Sequence, residues 1–187
     1  MPINKALIIV DVQNDFCPGG GYPVPDGDKV VEPLNNMIKK AKAEKWVIVA
    51  SRDWHPESSL KTEGWKPHCI KNTKGAEFHP DLKIDDSVKI VSKGEFDMSD
   101  KHYSAFNGEN VNLEEYLDKN NVDEVFIGGL ATDYCVKNTA MDAAALGFRT
   151  VVLKDACRGI FKKTSEEEVE KELLSHGVTM TTVEKIL

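Results

Sequence analysis

Cys135 is the residue of this chain best placed to act as a nucleophile. It follows the run Gly128-Gly129-Leu130-Ala131-Thr132-Asp133-Tyr134, which reads as the junction between a buried strand and a helix. A thiol in the first turn of a helix meets unpaired backbone N–H groups and the positive end of the helix dipole, and both favour its thiolate. Asp11 and Lys93 also follow short apolar runs, Ala6–Val10 and Val88–Ser92. An acid, a cation and a thiol at the ends of three strands would share one edge of a sheet, and together they suit covalent attack on a carbonyl. Each has a plainer reading alone: Cys135 as a small buried hydrophobe, Asp11 as a turn or helix cap, and Lys93, next to Gly94, as a surface lysine. Their joint placement favours the chemical reading, whereas Cys17, Cys69 and Cys157 have no such company and read as structural.

A second constellation follows the run Trp46–Ala50. In Asp53-Trp54-His55 the acid and the histidine are two residues apart, so in an extended segment they face the same way. A later histidine, His68 or His79, would complete a set of two histidines and one carboxylate, which leaves coordination positions open on a metal ion. Spacing alone fits incidental histidines on a solvated loop equally well. The stretch from Arg52 to Asp86 carries three prolines and neither a helical nor a strand period, and a loop of that length in a compact domain is usually functional.

The elements that must position these residues follow from hydrophobic patterning. Apolar runs at Ala6–Val10, Trp46–Ala50, Val88–Ser92, Val125–Gly128 and Thr150–Leu153, with a weaker one at Thr179–Val183, suit strands buried on both faces. Val31, Leu34, Ile38 and Ala41 share one helical face, with Pro33 in the first turn. Three more helices are expected: Leu113–Lys119, Tyr134–Leu146 ending at Gly147, and Ser165–Ser175 opening on a Ser165/Glu168 capping box. Asp155 is expected to cap the loop after the fifth strand. Strand and helix in alternation predict an α/β fold: one open, mostly parallel sheet flanked by helices on both faces, in a single domain spanning residues 1–187. In such sheets ligands gather at the carboxyl ends of the strands, where Asp11, Asp53, Lys93 and Cys135 all fall.

Composition narrows the function. A chain of 187 residues buries roughly 70% of its unfolded surface, so its four scattered cysteines are expected to be free thiols. With 24 Lys and Arg against 31 Asp and Glu, the net charge of −7 gives no attraction to nucleic acid or an anionic membrane. The opening apolar run is too short for a span or a signal-peptide core. A cytoplasmic protein acting on a small molecule is expected, with room for a homo-oligomer.

Seven segments together resemble the nicotinamidase/pyrazinamidase group of the isochorismatase-like cysteine hydrolases. They are Asp11-Val12-Gln13-Asn14-Asp15-Phe16, Asp53-Trp54-His55-Pro56, Trp65-Lys66-Pro67-His68-Cys69, Gly75-Ala76-Glu77-Phe78-His79-Pro80, Ser92-Lys93-Gly94, Tyr103-Ser104-Ala105-Phe106 and Gly129-Leu130-Ala131-Thr132-Asp133-Tyr134-Cys135-Val136. The resemblance implies a triad of Asp11, Lys93 and Cys135, and an oxyanion hole from the backbone at Ala131 and Cys135. It implies one divalent metal ion, zinc foremost with iron or manganese also suited, held by Asp53, His55 and His68. His79 then becomes a structural loop residue, and a fourth ligand is left open between Ser58, Ser59, water and none. Phe16, Trp65, Tyr103 and Ala131 would line the substrate pocket, and the Leu130–Ala131 peptide would be cis. The implied reaction is hydrolysis of nicotinamide, and of pyrazinamide, through a cysteine thioester in NAD salvage, with the metal holding the ring nitrogen. Lys66 departs from the proline that family members tend to carry after the tryptophan. The alternatives are a related amidase or isochorismatase-like hydrolase acting on another small substrate, the metal loop disfavouring a metal-free amidase and the thiol disfavouring isochorismatase ether hydrolysis, and a non-catalytic relative, which would have lost the triad.

Overall fold

The computed structural model describes residues 3–58, 66–95 and 103–187. Six strands, β1 (Lys5–Val10), β2 (Val47–Asp53), β3 (Lys89–Lys93), β4 (Glu124–Leu130), β5 (Arg149–Arg158) and β6 (Thr179–Thr181), form one sheet in the order β3-β2-β1-β4-β5-β6. Every neighbouring pair is parallel. The four helices are α1 (Val31–Ala43), α2 (Leu113–Lys119), α3 (Lys137–Ala145) and α4 (Glu166–Ser175).

The period of two along β1 assigns its side chains to opposite faces. Ala6, Ile8 and Val10 pack with Leu113 and Leu117 of α2, Ala140 and Ala143 of α3, and Val169 and Leu173 of α4. Leu7 and Ile9 pack with Leu34, Met37, Ile38 and Ala41 of α1. Two apolar layers thus enclose a sheet whose central strand is apolar on both sides, which is why that run reads as continuous rather than alternating. The chain order reverses on either side of β1, so the cleft at the carboxyl ends of β2, β1 and β4 is the switch point where such sheets place ligands.

Helix ends follow the expected chemistry. Ser165 and Glu168 form the capping box of α4, and α3 stops where Gly147 adopts φ 93, its N–H donating to the Ala144 carbonyl. Two expectations are corrected. The helix foreseen from Tyr134 begins instead as a π-turn over Thr132–Val136, with the α-helix proper starting at Lys137. Asp155 lies within β5 rather than in the loop beyond it, because pairing with β4 resumes after an irregularity at Gly129–Cys157 and Leu130–Arg158. Its carboxylate accepts the Val183 N–H at 2.8 Å, so it fastens the C-terminal segment. Among the described residues no helix is long and apolar enough to cross a membrane.

Candidate active site and metal centre

Four strand ends converge on one cluster. Asp11 directly follows β1, in the left-handed region at φ 50, and Lys93 closes β3 in register with Asp53 of β2. Cys135 enters from the π-turn after β4. Gly129 makes that approach possible: at φ 135, a Cβ there would come within 2.1 Å of the Val10 carbonyl oxygen, so β1 and β4 can lie this close only with glycine. The peptide that follows, Leu130–Ala131, is cis.

Lys93 is fully buried and its ammonium is the centre of the cluster. Nζ lies 2.7 Å from Asp11 Oδ2, 2.6 Å from Asp53 Oδ1 and 3.5 Å from Cys135 Sγ. Burial alone would strip its proton, but Asp11, Asp53 and Cys135 outweigh that and hold it charged. For Asp11, burial pushes the carboxyl above its usual range, helped by Asp53 and opposed by Lys93. Ser51 Oγ donates to its other oxygen at 2.7 Å. Burial likewise pushes the Cys135 thiol well up, with Lys93 pulling it down and the two carboxylates pushing it further. The surroundings therefore keep the proton on sulfur at rest, and a base beside it is needed to remove it. This differs from a thiolate made by the helix terminus alone, because carboxylates in a low dielectric outweigh a turn's partial charges.

Asp53 faces two ways. While Oδ1 accepts from Lys93, Oδ2 lies 3.7 Å from His55 Nε2 and 3.8 Å from His68 Nε2, so the three side chains could hold one metal ion. The donor set fits a divalent ion. His55 Nδ1 lies 3.0 Å from the Gly94 carbonyl and His68 Nδ1 2.6 Å from the Lys66 carbonyl; a carbonyl only accepts, so each Nδ1 carries the hydrogen and each Nε2 is left with its lone pair. Gly94 at φ 76 sits against the His55 ring, where a Cβ would come within 2.5 Å. The Lys66 departure from the family pattern leaves this geometry intact, since it is the backbone of residue 66 that steers His68. His79 is elsewhere, its Nδ1 accepting from the Asp81 N–H at 3.2 Å.

The Phe16 ring stands 5.3 Å from that of His68, and Tyr103 lies 5.6 Å from Tyr134. Trp65 and Ser59 lie outside the described residues, and Ser58 is exposed. Three residues passed over as site residues in the sequence also matter. Gln13, fully buried, donates to the carbonyls of Asp53 and Ala76 at 2.7 and 2.9 Å and accepts the Asp53 N–H at 2.8 Å. Ser51 orients Asp11. Tyr22 reaches the His68 ring, with centroids 5.6 Å apart. For Gln13 and Ser51 the sequence signal was a polar residue inside or beside a run of buried apolar positions.

The chain matches known proteins over almost its whole length. The isochorismatase domain model matches residues 5–185. The nicotinamidase of Escherichia coli is 35% identical, with 96% of this chain and 95% of that protein covered. The crystal structure of the Pyrococcus horikoshii pyrazinamidase in complex with zinc superposes with a TM-score of 0.87 at 41% identity, covering 96% of this chain and 99% of the other. The yeast nicotinamidase bound to the inhibitor nicotinaldehyde superposes with a TM-score of 0.84 at 32% identity, covering 95% and 99%. A switch-point cleft that holds an acid, a lysine and a thiol, in a chain matched almost end to end, leaves one assignment: the chain belongs to the isochorismatase domain family.

Proposed function

We propose that this protein is a metal-dependent nicotinamidase that hydrolyses nicotinamide to nicotinate and ammonia, and pyrazinamide likewise, as a step of NAD salvage in the cytoplasm. The observation that carries the reading is the Lys93 ammonium, 2.7 Å from Asp11 and 3.5 Å from the Cys135 sulfur, beside three side chains that could hold one metal ion.

Asp11 accepts the Cys135 proton at a carboxylate oxygen as the sulfur attacks the carboxamide carbon, and Lys93 holds both partners in place. The electron pair of the carbonyl moves to its oxygen. Backbone N–H groups of Ala131 and Cys135 hold that oxyanion, and one such donor typically contributes about 3–4 kcal/mol to lowering the barrier. Collapse expels ammonia, which takes the proton from Asp11 and leaves a thioester on Cys135. Water then gives a proton to Asp11 as its oxygen attacks the thioester carbon; the C–S bond breaks, Asp11 returns that proton to the Cys135 sulfur, and the acid so formed ionises to nicotinate. Asp53, His55 and His68 would hold one divalent ion, zinc foremost as in the Pyrococcus horikoshii relative. Bound there it supplies a Lewis-acid contact for the pyridine nitrogen, which orients the ring. Phe16, beside the His68 ring, and Tyr103, beside Tyr134, are the described aromatics that line the ring's pocket in this reading.

Ammonia release from nicotinamide by the zinc-loaded protein, with nicotinate identified as co-product, tests the proposal. A zinc-bound protein that releases no ammonia would overturn it and leave a binding protein on the same fold.

A further inference from the structure

Asp133 is a buried carboxylate between Ala131 and Cys135 in the π-turn. Its two oxygens accept from the backbone of another segment: Oδ1 from the Ile160 N–H and Oδ2 from the Phe161 N–H, both at 2.8 Å. Those two residues belong to the β5–α4 connection. The connection is built to meet the carboxylate. Phe161 adopts φ 48, which turns consecutive N–H groups toward one acceptor. A Cβ on Gly159 would lie 3.0 Å from Asp133 Oδ1 and 2.4 Å from the Phe161 ring. Within the turn, the Tyr134 and Val136 N–H groups both donate to the Ala131 carbonyl at 3.1 Å. The i→i−5 bond from Val136 opens the turn around Cys135, so the direction of the backbone at residues 131–135 depends on what holds the turn in place. The Asp133 side chain ties this turn to the β5–α4 connection.

We propose that Asp133 is a positioning residue for the oxyanion-holding backbone: by gripping the Ile160 and Phe161 amides it fixes the Ala131–Cys135 turn in the orientation that receives the tetrahedral oxygen. The inference rests on the nicotinamidase reading above. Both carboxylate oxygens of Asp133 are engaged by backbone amides. The carboxylate therefore supplies rigidity rather than binding to the substrate. Its loss should be felt in the transition state and not in binding of the planar amide.

The test uses the zinc-loaded full chain and Asp133→Asn, which keeps one acceptor oxygen and turns an NH2 toward the second amide, with Gly159→Ala disturbing the same grip from the loop side. Three ligands separate the effects: nicotinamide, nicotinate as a planar ground-state ligand, and nicotinaldehyde. The aldehyde forms a tetrahedral adduct as the Cys135 sulfur bonds to its carbon, the carbonyl pair moves to oxygen, and the thiol proton passes to Asp11. The expected result is a fall in kcat of roughly 10–100-fold with KM, zinc content and nicotinate affinity held. Nicotinaldehyde affinity should fall in proportion to kcat/KM, and amide hydrogen exchange at Ile160 and Phe161 should speed up. A variant that only melts earlier at unchanged kcat would overturn the proposal, as would one that loses zinc and nicotinate together with kcat. If the wild-type chain itself turned over no nicotinamide, the functional reading would fall. The grip would still be decided by exchange at Ile160 and Phe161, where unchanged rates in Asp133→Asn would refute it.

Discussion

Asp53 and Lys93 are joined by a 2.6 Å hydrogen bond that couples the ligand cluster to the candidate catalytic groups. One carboxylate thereby serves two sites: Oδ1 neutralises the lysine, and Oδ2 faces the two histidines. Burial pushes Asp53 up, but the Lys93 ammonium above all pulls it far below the usual carboxylate range, so it is ionised and available as a ligand. Asp53→Asn should therefore do two kinds of harm. Zinc affinity should fall by more than the 10–100-fold typical of losing a ligand's supporting partner, and saturating zinc should not restore kcat, because Lys93 has lost half of its counter-charge. Asp11→Asn, by contrast, should keep zinc and lose rate, while His68→Ala should lose zinc with substrate affinity. Zinc titration beside kcat for the three variants checks this; an Asp11→Asn protein with an emptied metal site would break the division of roles.

Cys135→Ala should abolish turnover, a loss of at least ~10³-fold, while nicotinamide still binds, because the proposal gives the hold on the ring to the metal site and aromatics rather than to sulfur. Iodoacetamide near neutral pH should label Cys135 and spare Cys69, which is fully buried. Because burial keeps the proton on Cys135 at rest, labelling should depend on the neighbouring base and slow sharply in Asp11→Asn. Peptide mapping reads both results. Labelling that is uniform over the four thiols, or indifferent to Asp11, would contradict an activated pair.

The structural cysteines give a pH prediction. Burial pushes Cys17 up to about 11 and Cys157 up to about 12 from an ordinary 9.0. Above pH 9.0 the unfolded chain sheds these protons while the folded chain keeps them, so the unfolded state binds fewer protons. Stability is full below 9.0 and falls as pH rises toward about 11 for Cys17 and about 12 for Cys157. Cys17→Ala/Cys157→Ala should show a shallower decline of Tm between about pH 8 and about pH 10.5 than the wild type. Parallel declines would show that the thiols do not set this slope.

The site was legible in the sequence where chemistry and strand periodicity coincide. Asp11, Asp53, Lys93 and Cys135 each end an apolar run or follow one closely, and the parallel sheet brings those ends together as expected. The choice of His68 over His79 was not legible from spacing, because it depends on a backbone carbonyl at Lys66 that aims the ring. The π-turn was equally hidden, since its residues from Tyr134 onward fall in the expected helix, and the Ala131 carbonyl, taking two N–H donors, reveals the wider turn. Gln13 was missed for another reason: it acts on the backbone of Asp53, and a residue that positions a main chain leaves no motif of its own. The fifth apolar run ended at Leu153 and Asp155 read as the cap of the loop after it, but β5 continues past both to regain its pairing with β4.

The last prediction concerns the ring nitrogen. Benzamide carries the same carboxamide on a ring of the same shape but has no nitrogen for the Asp53, His55 and His68 site to hold through its metal. Pyrazinamide keeps a nitrogen at the equivalent position. If the metal contact both anchors the ring and aims the carbonyl at Cys135, kcat/KM for benzamide should fall by about 10²-fold or more relative to nicotinamide, since a misplaced carbonyl loses rate as well as affinity. Pyrazinamide should stay close to nicotinamide. Removal of the metal by a chelator should bring nicotinamide and pyrazinamide down to the level of benzamide, while leaving benzamide itself almost unchanged, because its small residual rate owes nothing to the ligand set. Steady-state kinetics on the three amides, with and without chelator, measure all of this. Equal turnover of benzamide and nicotinamide by the zinc-loaded enzyme would show that Asp53, His55 and His68 hold the loop together rather than the substrate, and the Asp53–Lys93 bond would then be their only link to the reaction.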